Sequence, residues 1–367
     1  MKKKVLFIIW SYSYGGGAER ILTNIVNNLD PSKYEIDILE YVYAGIKKEE
    51  INDNINLLNP IIDITDRSFI NRVNNYIKEK VVYRFPKLLR QKYIKKDYDV
   101  EIAFNYLIPT FLLNYNAKTI GWCHGAVTDL KENDKLKKLQ KKYYDKINKI
   151  VAISNKTFDS VIDVYPEYKN KVELIYNGFD KNNILNKIND YKVENIDILY
   201  CGRFDENKNP AKFIEIIKNI KKVKNDIMAG MLGIGKLEEN IKKMIDEYEL
   251  GDNVILYGYK DNPYPIINST KIMCLTSYSE GFPTVLMEGM ILGKPFISTE
   301  VAGTKEMSNS NKCGFVSNDN EMLCKYAIKL LEDKKLYDVM SRDSKKHAEN
   351  FTLINQIKNI ESIIDKE

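Results

Sequence analysis

What most narrows the folds open to this chain is a unit that occurs twice. Near the start, Val5-Leu6-Phe7-Ile8-Ile9-Trp10 is an apolar run of strand length and Gly15-Gly16-Gly17 is a turn. Ile21, Leu22, Ile25, Val26 and Leu29 then recur at helical spacing. Past the middle, Ile196 to Cys201 is a second such run, followed by the turn Gly202 to Pro210 and a helix marked by Ile214, Ile217 and Ile220. A strand fed through a tight turn into an amphipathic helix opens a doubly wound α/β domain. Two openings predict two Rossmann-like domains, which suits 367 residues. Val100–Phe104, Lys118–Cys123, Val151–Ser154, Val172–Tyr176, Ala229–Leu232, Val254–Tyr257 and Lys271–Leu275 supply further strand-like runs.

The chemistry gathers where these strands end. In an open α/β sheet, ligands bind outside the carboxyl edge. Glu280-Gly281-Phe282-Pro283 joins the strand Lys271–Leu275 to a helix expected over Thr284–Leu292. Pro283 sits where a missing N–H costs nothing, Glu280 falls at the strand's end, and Glu288 about one turn into the helix. Amides from Phe282 through Thr284 to Val285 would be open to an anion. The two carboxylates could accept hydrogen bonds from sugar hydroxyls. Taken alone, such a pair reads as a helix-start glutamate and a salt-bridged neighbour. Arg203 and Lys208 share one tight turn at the same kind of edge. A guanidinium can grip a diphosphate with paired hydrogen bonds, while an ammonium acts as a point charge. His124 ends the strand Lys118–Cys123 beside Gly125, a ligand-side position for a residue that is otherwise often structural.

Composition excludes several classes. A formal charge of +5 over this length does not indicate nucleic acid. The five cysteines lack C-x2-C spacing and read as reduced, buried thiols of a reducing compartment. Two histidines, His124 and His347, cannot build a multi-histidine metal centre. Lys2-Lys3-Lys4 before Val5–Trp10 imitates a signal peptide, but the apolar run is too short. No stretch approaches a membrane span. Asp97-Tyr98-Asp99, a possible metal–nucleotide triplet, leads straight into Val100–Phe104 and reads as a turn feeding a strand.

Ser279-Glu280-Gly281-Phe282-Pro283-Thr284-Val285, with Glu288 and Gly293-Lys294-Pro295, closely resembles the E-x7-E signature of family 4 retaining glycosyltransferases. Other segments resemble that family in the right order: Gly16-Gly17-Ala18-Glu19-Arg20, Trp122-Cys123-His124-Gly125, Tyr176-Asn177-Gly178-Phe179-Asp180, Gly202-Arg203 with Lys208-Asn209, Gly233-Ile234-Gly235 and Gly303-Thr304-Lys305-Glu306. The resemblance implies a GT-B fold, two doubly wound Rossmann-like domains facing across a cleft. An acceptor domain would span 1–178 and a nucleotide-sugar domain 179–347, with a helix at about 348–367 crossing back to the first. It implies metal-independent transfer from a nucleotide diphosphate sugar, UDP favoured, with no other cofactor. Arg203, Lys208, Gly202 and the helix start at Thr284 would hold the diphosphate. Glu288 would take the ribose, Glu280 and His124 the transferred sugar. Gly16 and Gly17 would lie against the diphosphate or the acceptor. Gly233 and Gly235 would lie near the nucleotide, and Tyr259 and Lys260 near its base.

The acceptor is expected to be a glycan or lipid-linked glycan in bacterial surface-polysaccharide assembly, handled in the cytoplasm or at the inner face of the membrane. Residues 67–96 carry ten cations against the single acid Glu79, interleaved with Phe69, Tyr76, Tyr83, Phe85 and Leu88. Such a segment can lie on an anionic membrane or can be a solvated helix face. A second lysine-rich run spans 131–149. Two other enzyme classes stay open on this architecture, a sugar-nucleotide 2-epimerase and an NAD-dependent oxidoreductase. The latter lacks a full G-x-G-x-x-G and has only Glu40 as a ribose acid.

Overall fold

The structure, a computed structural model, describes residues 1–14, 17–46 and 50–366. The chain divides into two compact units, Met1–Gly178 with Leu353–Glu367, and Phe179–Thr352.

The first unit is built on β1 (Lys3–Ile9), β2 (Tyr34–Glu40), β3 (Val42–Tyr43), β4 (Ile55–Leu57), β5 (Ile62–Asp63), β6 (Val100–Ala103), β7 (Lys118–Cys123), β8 (Lys149–Ala152) and β9 (Val172–Leu174). Seven of these form a parallel sheet in the order β4-β2-β1-β6-β7-β8-β9, and β3 pairs with β5 just beyond the end of β2. Val5 to Ile9 are fully buried because helices cover both faces, hence their unbroken apolar run. The helix Gly17–Asn28 buries Ile21, Leu22, Ile25 and Val26.

The second unit carries β10 (Ile196–Cys201), β11 (Ala229–Leu232), β12 (Val254–Gly258), β13 (Thr270–Leu275), β14 (Phe296–Ser298) and β15 (Gly314–Val316), ordered β12-β11-β10-β13-β14-β15 and parallel throughout. In each sheet the order reverses beside the opening strand, between β1 and β6 and between β10 and β13. Both opening turns therefore emerge at a topological switch point, where such sheets bind ligands.

Local chemistry sets several boundaries. Ser154 caps the helix Asn155–Val164, its hydroxyl accepting from the Thr157 amide at 3.2 Å. Pro86 divides residues 67–96 into helices Phe69–Arg84 and Pro86–Tyr93, with Phe85 non-helical between them. The second of these is anchored by Arg90, whose guanidinium donates to both oxygens of the fully buried Glu101 at 2.8 and 2.6 Å. Asp99 accepts from the Lys4 amide at 2.7 Å, so the Asp-Tyr-Asp triplet feeds β6 as a structural turn.

Three expectations need correction. The stretch 181–195, whose polar, asparagine-rich composition reads as a linker, is structured: Asp180 caps a helix Lys181–Asn186, and Tyr191 donates to the Asn262 carbonyl at 2.6 Å. The final helix is broken, with Lys334–Ala348 ending before a 3-10 turn and Leu353–Asp365 following. Phe179 bridges Thr352, so the return to the first unit starts at Leu353 rather than 348. Cys201 is half-buried at the end of β10, whereas the other four cysteines are buried, and all five are free.

Candidate functional site

Within the second unit, two loops at the switch point are tied together. Asp205 accepts from the Lys208 amide at 2.9 Å and pairs with the Arg203 Nε at 3.3 Å, which folds the turn after β10. The Thr276 hydroxyl donates to the Asn209 carbonyl at 2.9 Å, and the Tyr278 amide to the Asn207 carbonyl at 2.8 Å. These bonds bring the Lys208 ammonium to 2.5 Å from Glu280 Oε1, and the Ser277 hydroxyl donates to the same oxygen at 2.6 Å. The Glu280 carboxylate is only 12% exposed and Lys208 25%, so this charged contact is shielded from bulk water. Arg203 remains 67% exposed beside it.

The helix Thr284–Ile291 starts directly after this loop. Its N-cap is Pro283, which supplies no side-chain hydrogen bond to the first turn. Thr284 and Val285 are half-buried at that start, Gly281 also, and Phe282 packs under it against Gly303 and Phe351. Glu288 is buried on the same helix. Gly258 ends β12 at a positive φ of 64° and turns the chain so that Tyr259 and Lys260 stand exposed.

Gly233 and Gly235 sit against the turn after β10. A Cβ on Gly233 would lie 2.0 Å from the Gly202 carbonyl oxygen, and one on Gly235 2.4 Å from that of Phe204. The two loops are stitched by Phe204 N–H to Ile234 O at 2.9 Å and Leu237 N–H to Phe204 O at 3.0 Å. Both glycines thus shape the arginine–lysine turn from behind.

In the first unit, His124 follows β7. Its ring lies 4.4 Å from the Phe104 ring and stacks on Trp122 at 6.2 Å. The residue is half-buried, yet its Nε2 is sealed from solvent without a hydrogen-bond partner. Loss of hydration pushes the imidazole pKa down to about 3, against an opposing backbone hydrogen bond with Phe104, so the ring is neutral. Gly17 begins its helix with open space around it. Gly16 lies outside the described residues. Glu40, the one candidate ribose acid, is occupied: its Oε2 accepts from Tyr12 N–H at 2.9 Å, Ser13 N–H at 3.1 Å and the Ser13 hydroxyl at 2.9 Å. Burial raises its pKa while these donors oppose the rise.

The sequence reading missed Asp205 and Ser277. The first has a local signal, an Asp three residues ahead of the lysine whose amide it caps. For the second, spacing alone did not say that the hydroxyl turns onto Glu280. Among the described residues no group of three or more His, Cys, Asp or Glu is placed to hold a metal ion.

A family model described as Glycosyl transferases group 1 matches residues 181–347, and one described as Glycosyltransferase Family 4 matches residues 15–183. The N-acetylgalactosamine-N,N'-diacetylbacillosaminyl-diphospho-undecaprenol 4-alpha-N-acetylgalactosaminyltransferase of Campylobacter jejuni is 27% identical, over 96% of this chain and 96% of its own. Anabaena HepE in complex with UDP and glucose shares the fold with a TM-score of 0.75 at 15% identity, covering 100% of both chains. The sucrose-phosphate synthase of Thermosynechococcus elongatus does so at 0.76 and 16% identity, over 98% of each. With the two models running from residue 15 to residue 347, this protein has the GT-B fold and belongs to the group 1 glycosyltransferases, of the family 4 type.

Proposed function

We propose that the enzyme is a retaining, metal-independent transferase that moves a sugar from a nucleotide diphosphate sugar, with UDP the favoured nucleotide, to a hydroxyl of a lipid-linked glycan. The observation that carries this reading is the shielded Lys208–Glu280 contact, which joins two loops at the switch point directly ahead of the uncapped helix Thr284–Ile291. The Campylobacter relative, named for a diphospho-undecaprenol acceptor, supports the acceptor class. The UDP and glucose held by the Anabaena structure support the donor.

The chemical task is departure of a nucleoside diphosphate from an anomeric carbon. Arg203, Lys208 and the first helical amides would meet the negative charge that grows on the leaving oxygens. Fixed donors of this kind commonly lower such a barrier by about 3–4 kcal/mol each. Glu280 would accept from hydroxyls of the transferred sugar and Glu288 from the ribose. Neutral His124 offers a nitrogen for one sugar hydroxyl, and Tyr259 and Lys260 flank the base. No carboxylate is assigned as a nucleophile. The acceptor oxygen forms its bond to the anomeric carbon as the bond to the leaving phosphate breaks, and the hydroxyl proton passes to that phosphate. Retention follows if both events occur on one face of the sugar.

The test is a panel of nucleotide sugars scored for thermal stabilisation and slow hydrolysis. A UDP-sugar should stabilise the protein and be hydrolysed with chelator present. A response confined to nicotinamide dinucleotides, or a strict requirement for a divalent ion, overturns the reading. Transfer to a lipid-linked acceptor should give a product with the donor's anomeric configuration by NMR.

A further inference from the structure

A cavity open to solvent lies in the first unit and is lined by none of the residues assigned above. It has a volume of about 450 Å3, within the usual range for small-ligand sites, and lies between the segment after β5 and one face of the helix Phe69–Arg84. Arg72, Asn75, Tyr76 and Glu79 line it from that helix at i, i+3 and i+4 spacing, and Asp66 and Arg67 from the segment before. β5 pairs with β3, which continues from the carboxyl end of β2, so the cavity stands off the ligand-binding edge of its own sheet.

Some of its polar atoms are left without a protein partner, although the Asp66 carboxylate accepts from the Ser68 amide at 2.9 Å. Asn75 is only 9% exposed, and its amide nitrogen donates to the Asp63 carbonyl at 2.7 Å, which fixes the orientation of the side chain. The remaining Oδ1 is buried with no hydrogen-bond partner, in a side chain that lines the cavity. A buried acceptor left in this state is costly, and a ligand donor would satisfy it. Glu79 is the single acid among ten cations, yet among the described residues no ion pair engages it, Arg67 or Arg72. Burial first, and then the Glu79 charge, raise the pKa of Tyr41, whose buried hydroxyl also lacks a partner. Two guanidinium groups against two carboxylates leave the lining without a net charge. Planar hydrogen-bonding groups of both kinds with one tyrosine suit a neutral ligand rich in hydroxyl or N-acyl groups, not an anion.

We infer that this cavity is an acceptor-side saccharide site, taking one sugar residue of the glycan chain, with Asn75 Oδ1 and Glu79 accepting from its hydroxyl or acetamido N–H and the two arginines donating to its oxygens. The inference rests on the glycan-acceptor reading above.

Saturation-transfer NMR on the full chain tests it, with a panel of free hexoses, N-acetylhexosamines and uronic acids at millimolar concentration and inorganic phosphate and pyrophosphate as competitors. At least one neutral sugar should give a signal that is lost in Asn75→Leu and reduced several-fold in Glu79→Gln and Arg72→Gln. The last two are surface changes that leave folding intact, checked by thermal melting. No signal from any sugar, equal signals in all variants, or displacement by pyrophosphate at lower concentration than the sugar itself overturns the inference. Hydrolysis of UDP-sugars by the same preparation separates the two readings. Hydrolysis without sugar binding overturns the cavity alone, whereas sugar binding without hydrolysis supports the cavity and counts against the donor assignment.

Discussion

Lys208 is asked to stabilise charge on a leaving diphosphate, yet without donor its ammonium is bonded to Glu280. Removing it takes away a fixed cation and leaves Glu280 with the Ser277 hydroxyl alone. Lys208→Ala should therefore lower kcat by about 10²–10³-fold, read by steady-state transfer kinetics, with wild-type folding by circular dichroism. A near-normal rate would remove Lys208 from the mechanism. His124 gives a prediction of a different kind. Its imidazole is held near pKa 3 in the folded protein against 6.5 in an exposed histidine, so only the unfolded chain takes up that proton between those values. This group's contribution to stability is then complete above about pH 6.5 and is lost as pH falls towards 3. The melting temperature of His124→Phe, relative to wild type, should rise on going from pH 7 to pH 4.5. Glu280 and His124 can be nominated from sequence by residue type and position at a strand end, and Glu288 by its place a turn into the following helix. Ser277 and Asn75 cannot be, since their significance depends on which loop or carbonyl lies opposite, and linear spacing does not encode that.

At the level of elements, strand runs and helix starts read well wherever burial is two-sided or a cap is present, as in β1 and at Ser154. The crossing helix expected at about 348–367 starts only at Leu353, because residues 349–351 form a 3-10 turn whose Phe351 carbonyl accepts from the Phe179 amide. Gly233 connects two elements more tightly than its motif suggests. With a φ of 144° and the Gly202 carbonyl where a methyl group would go, Gly233→Ala should cost about 1–3 kcal/mol or more in urea unfolding and disturb donor binding through the turn. The basic helix pair is likewise less free than its composition implies. Lys78 donates to the Ile61 carbonyl, Lys96 pairs with Asp37, and Arg90 is locked on Glu101. Arg90→Ala should destabilise the first unit by about 3–5 kcal/mol, since it strands a buried carboxylate. In the second lysine run, Lys131, Lys141 and Lys149 are paired to Asp163, Glu167 and Glu173.

Across the whole molecule, no helix among the described residues is long and apolar enough to cross a membrane. The exposed set Phe69, Ile70, Ile77, Phe85 and Leu88 stands among Lys80, Arg84 and Lys87, a composition suited to the surface of an anionic bilayer. The protein should sediment with vesicles containing anionic lipid at low salt and be released as salt rises. A Phe69→Ser, Ile70→Ser variant should bind more weakly, and absence of sedimentation at low salt excludes this contact.

The early exit of the chain at Gly178 and its late return at Leu353 has a consequence for synthesis. The terminal helix packs against Gly17–Asn28 and fastens Asp365 to Lys3 and to the Tyr34 hydroxyl. On the ribosome, the first sheet must wait for the entire second unit to emerge before this clasp can close. Until then its flank is bare, and a chaperone or premature termination would meet it in that state.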